Sequence, residues 1–529
     1  MQYERLFKLR KSFGLSQDEM ANIFNVSRQA VQKWENGTSV PDVDHLMELA
    51  RYFNVTVDYL LFNEETRSID ELRIATDLHP TYQAIQDGEL YSSTLMTEYR
   101  QCVDEGKEIL SYENLFREIS KLAPGKEKEA LADVLFTMIR QAPQIPGYPY
   151  HEPSDYASIQ KLVHQAKKIS ADPISKDAYR DKIKGAWVGR ICGCLLGKVI
   201  EGISCEELNK LLRMSNNFPM HRYILRSDMT EEVLKAISFR PNNSWFADVV
   251  DGAPVDDDTN YTVMAMQVIE RYGRSFTPKK VADMWIDCQS KNAYFTAERV
   301  AYRNLIAGFC PPSSAGYKNP YREWIGAQIR ADYFGYINPC DPKAAAEMAW
   351  RDAVVSHEKN GIYGEMMIAT MLAAAAGSHD IKEVIKSGLG EIPVTSRLYK
   401  RIESLVDSFE SGITSKEFFR DFHNRYHDRD PYDWCHTISN AEIVVASLLY
   451  GESDYAKSVC MAVENGFDTD CNGATVGSIL GMMNGIQGIP SCWTEPIKNT
   501  LHTSLFGFPQ VSVDDLVGIT CKHCENIKK

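Results

Sequence analysis

The stretch "IKGAWVGRICGCLLGKVIEG", residues 183–202, decides the fold of the larger part of the chain. Gly185, Gly189, Gly193 and Gly197 recur at every fourth position, so on an α-helix they form one smooth stripe. Such a stripe lets a second helix approach closely. No apolar run of about 20 residues surrounds it, so it indicates helix packing inside a protein core and not a membrane span.

Acidic residues gather at the ends of the neighbouring predicted helices. Glu201 follows the last glycine of the stripe by four residues. "DGAPVDDDTNYTVMAMQVIERYG" places three aspartates, residues 256–258, directly before a helix, and "ENGFDTDCNGATVGS" places Asp468 and Asp470 before another. Adjacent carboxylates repel each other more than a helix dipole attracts them. We therefore expect a bound divalent cation.

The two helix starts carry four aspartates that would converge if the helices face each other: Asp257, Asp258, Asp468 and Asp470. Two Mg²⁺ ions would neutralise four carboxylates. A set of oxygen ligands without histidine selects Mg²⁺, or alternatively Mn²⁺, over zinc.

Three short motifs occur in a fixed order in this Ala/Gly-rich helical region. They are "G-x-x-x-G-x-x-x-E" ending at Glu201, "D-D-T" at 257–259 and "D-T-D" at 468–470. Together they resemble the ADP-ribosylglycohydrolase family over about residues 180–510, with "YPYHEPSD" as a candidate lead-in. The resemblance implies an all-α bundle with a dinuclear magnesium centre in a cleft. It also implies removal of ADP-ribose from protein side chains or related conjugates.

The resemblance assigns roles to individual positions. Glu201 falls on the acidic residue near the scissile bond, and Asp258 is expected to share the catalytic role. In the family a threonine often stands at the positions of Asp256 and Cys471; Asp256 can still offer oxygen, whereas a thiol is a poor Mg²⁺ ligand. The expected metal ligands are Asp256, Asp257, Asp258, Asp468, Asp470 and Cys471.

Two further helix boundaries carry polar residues that could line a substrate pocket. His357, Asn360 and Gly361 lie at a break in an Ala-rich helical stretch, and His436 and Asn440 lie at the start of another helix. The alternative for the two histidines is a hydrogen-bonded position in the core.

The N-terminal sixty-odd residues read as short helices separated by turns. In "LSQDEMANIFNVSRQAVQKWENG", Ser16 caps one helix with Glu19 in a capping box, and Ser27 caps the next, which Gly37 ends. With an amphipathic third helix and a short last turn, this resembles the lambda-repressor-like helix-turn-helix family over about residues 1–62, a five-helix domain.

That family places the second helix of the pair in the major groove of DNA. The positions implied to contact DNA are Gln17, as a phosphate contact, and Ser27, Arg28, Gln29, Gln32 and Lys33. Residues 1–40 hold six Lys/Arg and four Asp/Glu, so the basic face is modest and binding is expected to need a homodimer on a specific operator. A small bundle used for protein contacts is the alternative.

The rest of the chain separates the two resemblances. We predict a helix-turn-helix domain at 1–65, a helical connector at 66–178 and an ADP-ribosylglycohydrolase-like domain at 179–529. The connector has helical patterning without evident chemistry, and it is also a candidate dimer interface.

Composition excludes several classes of protein. A net charge of −14 argues against bulk binding to nucleic acid or membranes, and the N-terminus lacks the apolar core of a signal peptide. Thirteen scattered cysteines favour reduced thiols in a cytoplasmic protein. Cys521 and Cys524 form a single C-x-x-C, which leaves a plain tail or a zinc site open.

Two functions remain as alternatives. The first is a Mg²⁺-dependent hydrolase that cleaves N- or O-glycosidic ADP-ribosyl bonds and carries a sequence-specific DNA-binding domain. The second is a transcriptional regulator whose hydrolase-like domain senses ADP-ribose or a related nucleotide without turnover, a reading that the departures at Asp256 and Cys471 motivate.

Overall fold

The structure, a computed structural model, describes residues 3–53, 55–61, 90–164, 166 and 175–525. The chain divides into two compact units, Met1–Tyr82 and Gln83–Lys529. Much of the predicted connector, including all of 66–89, lies outside the described residues. The prediction of an all-α fold is confirmed.

The first unit contains five short helices: α1 (Tyr3–Ser12), α2 (Gln17–Ile23), α3 (Arg28–Glu35), α4 (Val43–Tyr52) and α5 (Val57–Leu61). Both predicted N-caps are confirmed. Ser16 accepts from the amide of Glu19 in a full capping box, and Ser27 accepts from the amide of Ala30. These local signals fix where α2 and α3 begin.

One apolar core holds the five helices together, and it includes Leu6, Met20, Val31, Trp34 and Leu49. Three of the helices are also linked through Glu35, by an ion pair with Arg10 and a hydrogen bond from Gln17. Arg10 Nε donates to Glu35 Oε1 at 2.6 Å, and Gln17 Nε2 donates to Glu35 Oε2 at 2.8 Å. The first three helices are therefore joined through one carboxylate.

The second unit is a large helical bundle with one small antiparallel ribbon, β1 (Thr500–His502) and β2 (Gln510–Ser512). Its helices are α6 (Leu95–Asp104), α7 (Glu113–Ser120), α8 (Lys126–Gln141), α9 (Tyr156–Ile159), α10 (Lys176–Lys198), α11 (Cys205–Met214), α12 (Glu231–Ala236), α13 (Asp257–Tyr272), α14 (Pro278–Cys288), α15 (Thr296–Ile306), α16 (Ser313–Gly316), α17 (Asp332–Tyr336), α18 (Pro342–Ala353), α19 (Asn360–Ala375), α20 (Ile381–Leu389), α21 (Arg397–Glu410), α22 (Ser415–Arg425), α23 (Thr437–Tyr450), α24 (Tyr455–Glu464), α25 (Thr469–Asn484), α26 (Ser491–Thr494) and α27 (Val513–Glu525). Single-turn 3₁₀ helices lie at Tyr91–Thr94, Leu110–Tyr112, Arg226–Asp228, Lys291–Ala293, Gln328–Arg330, Asp433–Cys435, Ile486–Gly488 and Glu495–Ile497.

The glycine stripe of α10 packs directly on α25, as the sequence predicts. Gly193 faces the backbone of Gly473, Gly189 that of Gly477, and Gly185 that of Gly481. A Cβ added to any of these glycines would overlap the facing backbone. The two helices therefore approach as closely as their backbones allow, and their ends are held in a fixed register.

Helix α6, which precedes the hydrolase-like region, is bonded to the body of the second unit. Arg322 donates to Glu98 Oε1 at 2.9 Å and to Glu105 Oε1 at 2.7 Å, and all three side chains are buried. Lys359 lies 3.0 Å from Glu105 Oε2. Arg100 reaches Asp433 at 2.7 Å.

The "YPYHEPSD" segment is bonded to the same body. Glu152 Oε2 accepts from Arg397 Nη2 at 2.8 Å, and the same guanidinium contacts Glu323 at 2.7 Å. Tyr363 donates to the carbonyl of Pro153 at 2.5 Å. Of the helices that the structure describes, none is both long and apolar enough to cross a bilayer.

Candidate active site

Three helix ends meet at one place in the second unit. Asp256 caps the N-terminus of α13, Asp468 stands at the N-cap position of α25 without a side-chain capping bond, and α10 ends at Lys198. The backbone of Gly197 lies against that of Thr469 and Asp470, so the glycine contact delivers the end of α10 to the start of α25. Glu201 follows on an exposed turn.

Potential ligand atoms cluster at this meeting point. Within each of three groups these atoms lie within 4.8 Å of one another: Asp258, Asp470 and Cys471; Glu201, Asp468 and Asp470; and Cys194, Asp256 and Asp258. Three of the four aspartates that were predicted to converge lie in these groups, namely Asp258, Asp468 and Asp470, and Asp258 and Asp470 each belong to two of them. Asp257 belongs to none of these groups among the described residues.

Asp258 is buried at the centre of this arrangement. Its Oδ1 accepts from Arg190 Nη2 at 3.0 Å, and Arg190 is itself held on the other side by Asp332 at 2.9 Å. Asp258 Oδ2 has no hydrogen-bond partner among the described residues. Burying a carboxylate oxygen without a hydrogen-bond partner costs free energy, so a cation bound to Asp258 Oδ2 would stabilise the site.

Asp256 is arranged differently from Asp258. Its Oδ1 accepts from the amide of Asp258 at 2.9 Å, and its Oδ2 lies 2.7 Å from Lys198 Nζ. The ammonium of Lys198 also lies 4.4 Å from the centroid of the Trp245 ring. Both oxygens of Asp256 are thus engaged by the protein.

Burial and mutual repulsion raise the pKa values of most carboxylates in the site. Burial, with the charge of Asp470 next, raises the pKa of Asp468 well above its usual range, and burial also raises the pKa of Asp257. Burial raises the pKa of Asp470 to about 6, with the charge of Asp256 adding to the shift. The charge of Asp470 is the main cause that raises the pKa of Glu201. Ionising this cluster is therefore unfavourable without further positive charge.

Asp256 is the exception among these carboxylates. Although burial opposes its ionisation, the ammonium of Lys198 holds its pKa below the usual value. Burial alone would favour the neutral amine of Lys198, but the charges of Asp256 and Asp470 raise its pKa above the usual range. This pair is therefore an ion pair within the cluster.

The donor set fits a divalent cation. Asp258, Asp468, Asp470 and Glu201 offer carboxylate oxygens, which are the ligands of Mg²⁺ and Mn²⁺. The unpartnered Asp258 Oδ2 points to the same conclusion. Cys471 adds a thiol on one side.

Asn440 belongs to the acidic site, as a supporting residue. Its Oδ1 accepts from the amide of Asp468 at 3.2 Å and from Asn472 Nδ2 at 2.8 Å. Cys435 Sγ donates to Asp468 Oδ2 at 3.4 Å. The start of α23 therefore positions the cap of α25.

The other predicted pocket residues form a separate buried network. Asn360 Nδ2 donates to Glu152 at 2.8 Å, and His436 Nε2 lies 3.6 Å from Glu323. His357 is buried beside Ser356, and burial lowers its pKa well below the usual value. A Cβ added to Gly361 would lie 2.6 Å from the carbonyl of Arg322. Among the described residues the link to the acidic site is indirect, because the carbonyl of His436 accepts from Asn440 Nδ2 at 3.0 Å.

Sequence reasoning missed four residues of the site: Arg190, Cys194, Lys198 and Trp245. Arg190, Cys194 and Lys198 lie on α10 next to the glycines of the stripe. Arg190 and Lys198 are charged residues among buried apolar ones, which was an available signal in the sequence. Trp245 lies in an irregular segment and gave no signal of its own.

A surface groove of about 420 Å³ opens beside the acidic cluster. Gly202, which follows Glu201, and Phe467, which precedes Asp468, both line it. Half-buried Trp434 and exposed Arg429 lie on its walls. A ligand in the groove would therefore contact the residues that adjoin Glu201 and Asp468 in the chain.

The predicted DNA-contacting residues lie on α3 and at its cap. Ser27, Arg28, Gln29, Gln32 and Lys33 are all exposed, whereas Val31 and Trp34 of the same helix are buried. Gln17, the predicted phosphate contact, is half-buried, and its side-chain amide donates a hydrogen bond to Glu35.

The fold and this site define a helical domain with an acidic, metal-binding type of centre, joined to a helix-turn-helix domain. The family model for ADP-ribosylglycohydrolase matches residues 175–522, and the chain belongs to that family. The model for the helix-turn-helix family matches residues 6–60. Both resemblances seen in the sequence are confirmed.

Similar curated proteins match the N-terminal region. The chain is 35% identical over 82 residues to the HTH-type transcriptional activator BcrR of Enterococcus faecalis, covering 16% of this chain and 40% of that protein. It is 30% identical over 107 residues to the uncharacterized HTH-type transcriptional regulator YqaE of Bacillus subtilis, covering 20% of this chain and 92% of YqaE. The match thus spans less than half the length of BcrR.

A solved structure, titled "ADP-ribosylglycohydrolase-related protein complex", is also similar. Its TM-score is 0.40 at 15% identity, covering 66% of this chain and 98% of that one.

Proposed function

We propose that the protein is a Mg²⁺-dependent hydrolase of N- or O-glycosidic ADP-ribosyl bonds that carries a sequence-specific DNA-binding domain. The observation that supports this most is the convergence of Glu201, Asp468 and Asp470 with Asp258, whose Oδ2 has no partner among the described residues. Family membership supports the reaction class.

Asp258, Asp468 and Asp470 would hold the metal, with Cys471 beside them. A bound Mg²⁺ supplies Lewis acidity and orients ligated hydroxyls or water. Glu201 is exposed at the mouth of the cluster, where its carboxyl group can exchange a proton with the leaving group or the attacking water. Half-buried Trp434 offers aromatic surface for a base in the groove.

A panel of ADP-ribosylated peptides and small conjugates tests the activity. We expect Mg²⁺-dependent release of ADP-ribose that Glu201→Gln abolishes. Glu206→Gln is the matched control, because Glu206 is an exposed neighbour on α11 paired only with Lys210 in its described contacts. Absence of turnover across the panel with metal bound would contradict the hydrolase proposal.

The second candidate function is a regulator that senses ADP-ribose or a related nucleotide. The ion pair between Lys198 and Asp256 favours this function, because a lysine then occupies a position where a metal ion would otherwise bind. In that case Glu201→Gln would keep both ligand binding and DNA control, whereas an enzyme would lose turnover.

We further propose that α3 reads operator DNA and that the protein acts as a homodimer on a two-fold symmetric site. The exposed polar face of α3 supports the first point. The modest basic charge of residues 1–40 supports the second.

A further inference from the structure

One corner of the acidic cluster is formed by Cys194, Asp256 and Asp258, whose ligand atoms lie within 4.8 Å of one another. Its donor set of two carboxylates and one thiol is the same as that of the Asp258, Asp470 and Cys471 group, and its spacing is the same as that of both groups that share Asp470. It differs from them in one respect, since Lys198 Nζ lies 2.7 Å from Asp256 Oδ2.

Lys198 is built into this position. It is the last residue of α10, directly after Gly197, whose contact with Thr469 and Asp470 fixes the end of the helix. Its side chain is 8% exposed, and the Trp245 ring lies 4.4 Å from the ammonium. The lysine is therefore held within the site and is not a mobile surface charge.

Both carboxylate oxygens of Asp256 already accept a hydrogen bond from the protein. One oxygen accepts from the amide of Asp258 at 2.9 Å, and the other accepts from Lys198. A divalent ion binds carboxylate oxygen at about 2.1 Å, so an ion on Asp256 would sit next to a buried ammonium. Two cations so close together in a site of low dielectric repel strongly.

We propose that Lys198 is a resident cation that takes the place of a divalent ion in this corner. Asp256 is then a partner of Lys198 and not a metal ligand. Divalent ions are confined to the groups that contain Asp470. The inference rests on the metal centre of the proposed function.

Counting bound Mn²⁺ by electron paramagnetic resonance on the full chain tests this. Lys198→Met removes the ammonium with little change in volume, and we expect it to bind one Mn²⁺ more than the unaltered protein. Lys198→Arg keeps the charge and is expected to keep the original count. The double variant Lys198→Met with Asp256→Asn should return to the original count.

Asp256→Asn alone gives a second measurement that does not depend on folding of the Lys198→Met variant. We expect it to leave the number of bound Mn²⁺ ions unchanged. Loss of one ion in Asp256→Asn, or an unchanged count in folded Lys198→Met, would overturn the inference.

The experiment separates this inference from the proposed function. If the unaltered protein bound no Mn²⁺ while Lys198→Met bound one, the role of Lys198 would stand and metal-dependent hydrolysis would fall. If none of the variants bound Mn²⁺, both would be contradicted.

Discussion

Arg190 binds one oxygen of Asp258 at 3.0 Å and leaves the other oxygen without a described partner. The same guanidinium reaches Asp332 at 2.9 Å, on its far side. The arginine therefore orients the Asp258 carboxylate through one oxygen, and the second oxygen can still bind a cation. Asp258 and Asp332 share this arginine, but only Asp258 belongs to the groups of candidate metal ligands among the described residues. The two aspartates therefore provide a matched pair of variants.

Asp258→Asn should weaken Mn²⁺ or Mg²⁺ binding by about tenfold or more, because it removes a charged ligand while keeping the hydrogen bond from Arg190. Asp332→Asn, which alters the other partner of the same arginine, should leave metal affinity nearly unchanged. Isothermal titration calorimetry measures both. Equal affinities for the two variants would contradict the placement of the metal at Asp258.

Gly477→Ala should destabilise the second unit by about 3 kcal/mol, because its Cβ would overlap the carbonyl of Gly189. Gly518→Ala is the control on another helix, α27, where an added Cβ meets nothing within 4 Å. That change should raise stability by up to about 1 kcal/mol through helix propensity. Urea denaturation of both variants compares them, and similar effects would argue against the close contact of α10 and α25.

Glu298 provides a prediction for pH. Its buried carboxylate accepts a hydrogen bond from Arg330 at 2.5 Å. Burial outweighs the charge of this arginine and raises the pKa of Glu298 from 4.5 to about 7. An acid with a raised native pKa takes up a proton on folding between these values, so stability is greatest below 4.5 and falls as pH rises through 7. The full difference between a pKa of 4.5 and a pKa of about 7 corresponds to about 3 kcal/mol at most.

Glu298→Gln removes this titration and keeps an oxygen for Arg330. Between pH 5 and pH 8 the unaltered protein should therefore lose up to about 3 kcal/mol of unfolding free energy more than Glu298→Gln does. Denaturation series at several pH values measure the difference. Parallel pH profiles for the two proteins would show that Glu298 does not titrate as described.

Arg28→Ala should lose sequence preference, at about 1–3 kcal/mol if the guanidinium makes a bidentate base contact. Arg51→Ala is the control, because Arg51 is an equally exposed arginine on α4, outside α3. Selection of binding sites from random DNA compares the two. Full specificity in Arg28→Ala would mean that α3 does not dock in the major groove.

Ligand and operator should affect each other by the same factor if the cleft controls DNA binding. A ligand shifts DNA affinity only when it binds two arrangements of the dimer unequally, and linkage makes the effect reciprocal. Titrating ADP-ribose and Mg²⁺ with and without operator measures both directions. Equal ligand affinities would mean that ligand binding in the hydrolase-like domain does not control DNA binding.

Features set by neighbouring residues could be predicted from the sequence. The caps at Ser16 and Ser27 and the helix starts at Asp257 and Thr469 depend on residues within one turn of the chain. The glycine stripe could also be seen, because its period is that of the helix. Its partner stripe, Gly473, Gly477 and Gly481, has the same spacing and was an unused signal.

Contacts between distant segments could not be predicted in this way. The pairing of Lys198 with Asp256 joins residues 58 positions apart, and that of Arg397 with Glu152 joins residues 245 apart. Such pairs depend on how the helices pack, which a single sequence does not encode in any local pattern. The engagement of both Asp256 oxygens is therefore visible only in the structure.

The buried arginines define where a stable piece of this chain can begin. The family match starts at residue 175, but Arg322 is neutralised by Glu98 and Glu105, and Arg397 by Glu152, all of which precede that point. A fragment starting at residue 175 would remove both of these partners of buried Arg322 and would leave buried Arg397 with Glu323 alone. The smallest autonomous folding piece of the second unit therefore has to include α6 and the segment around Glu152, a boundary that homology alone would set too late.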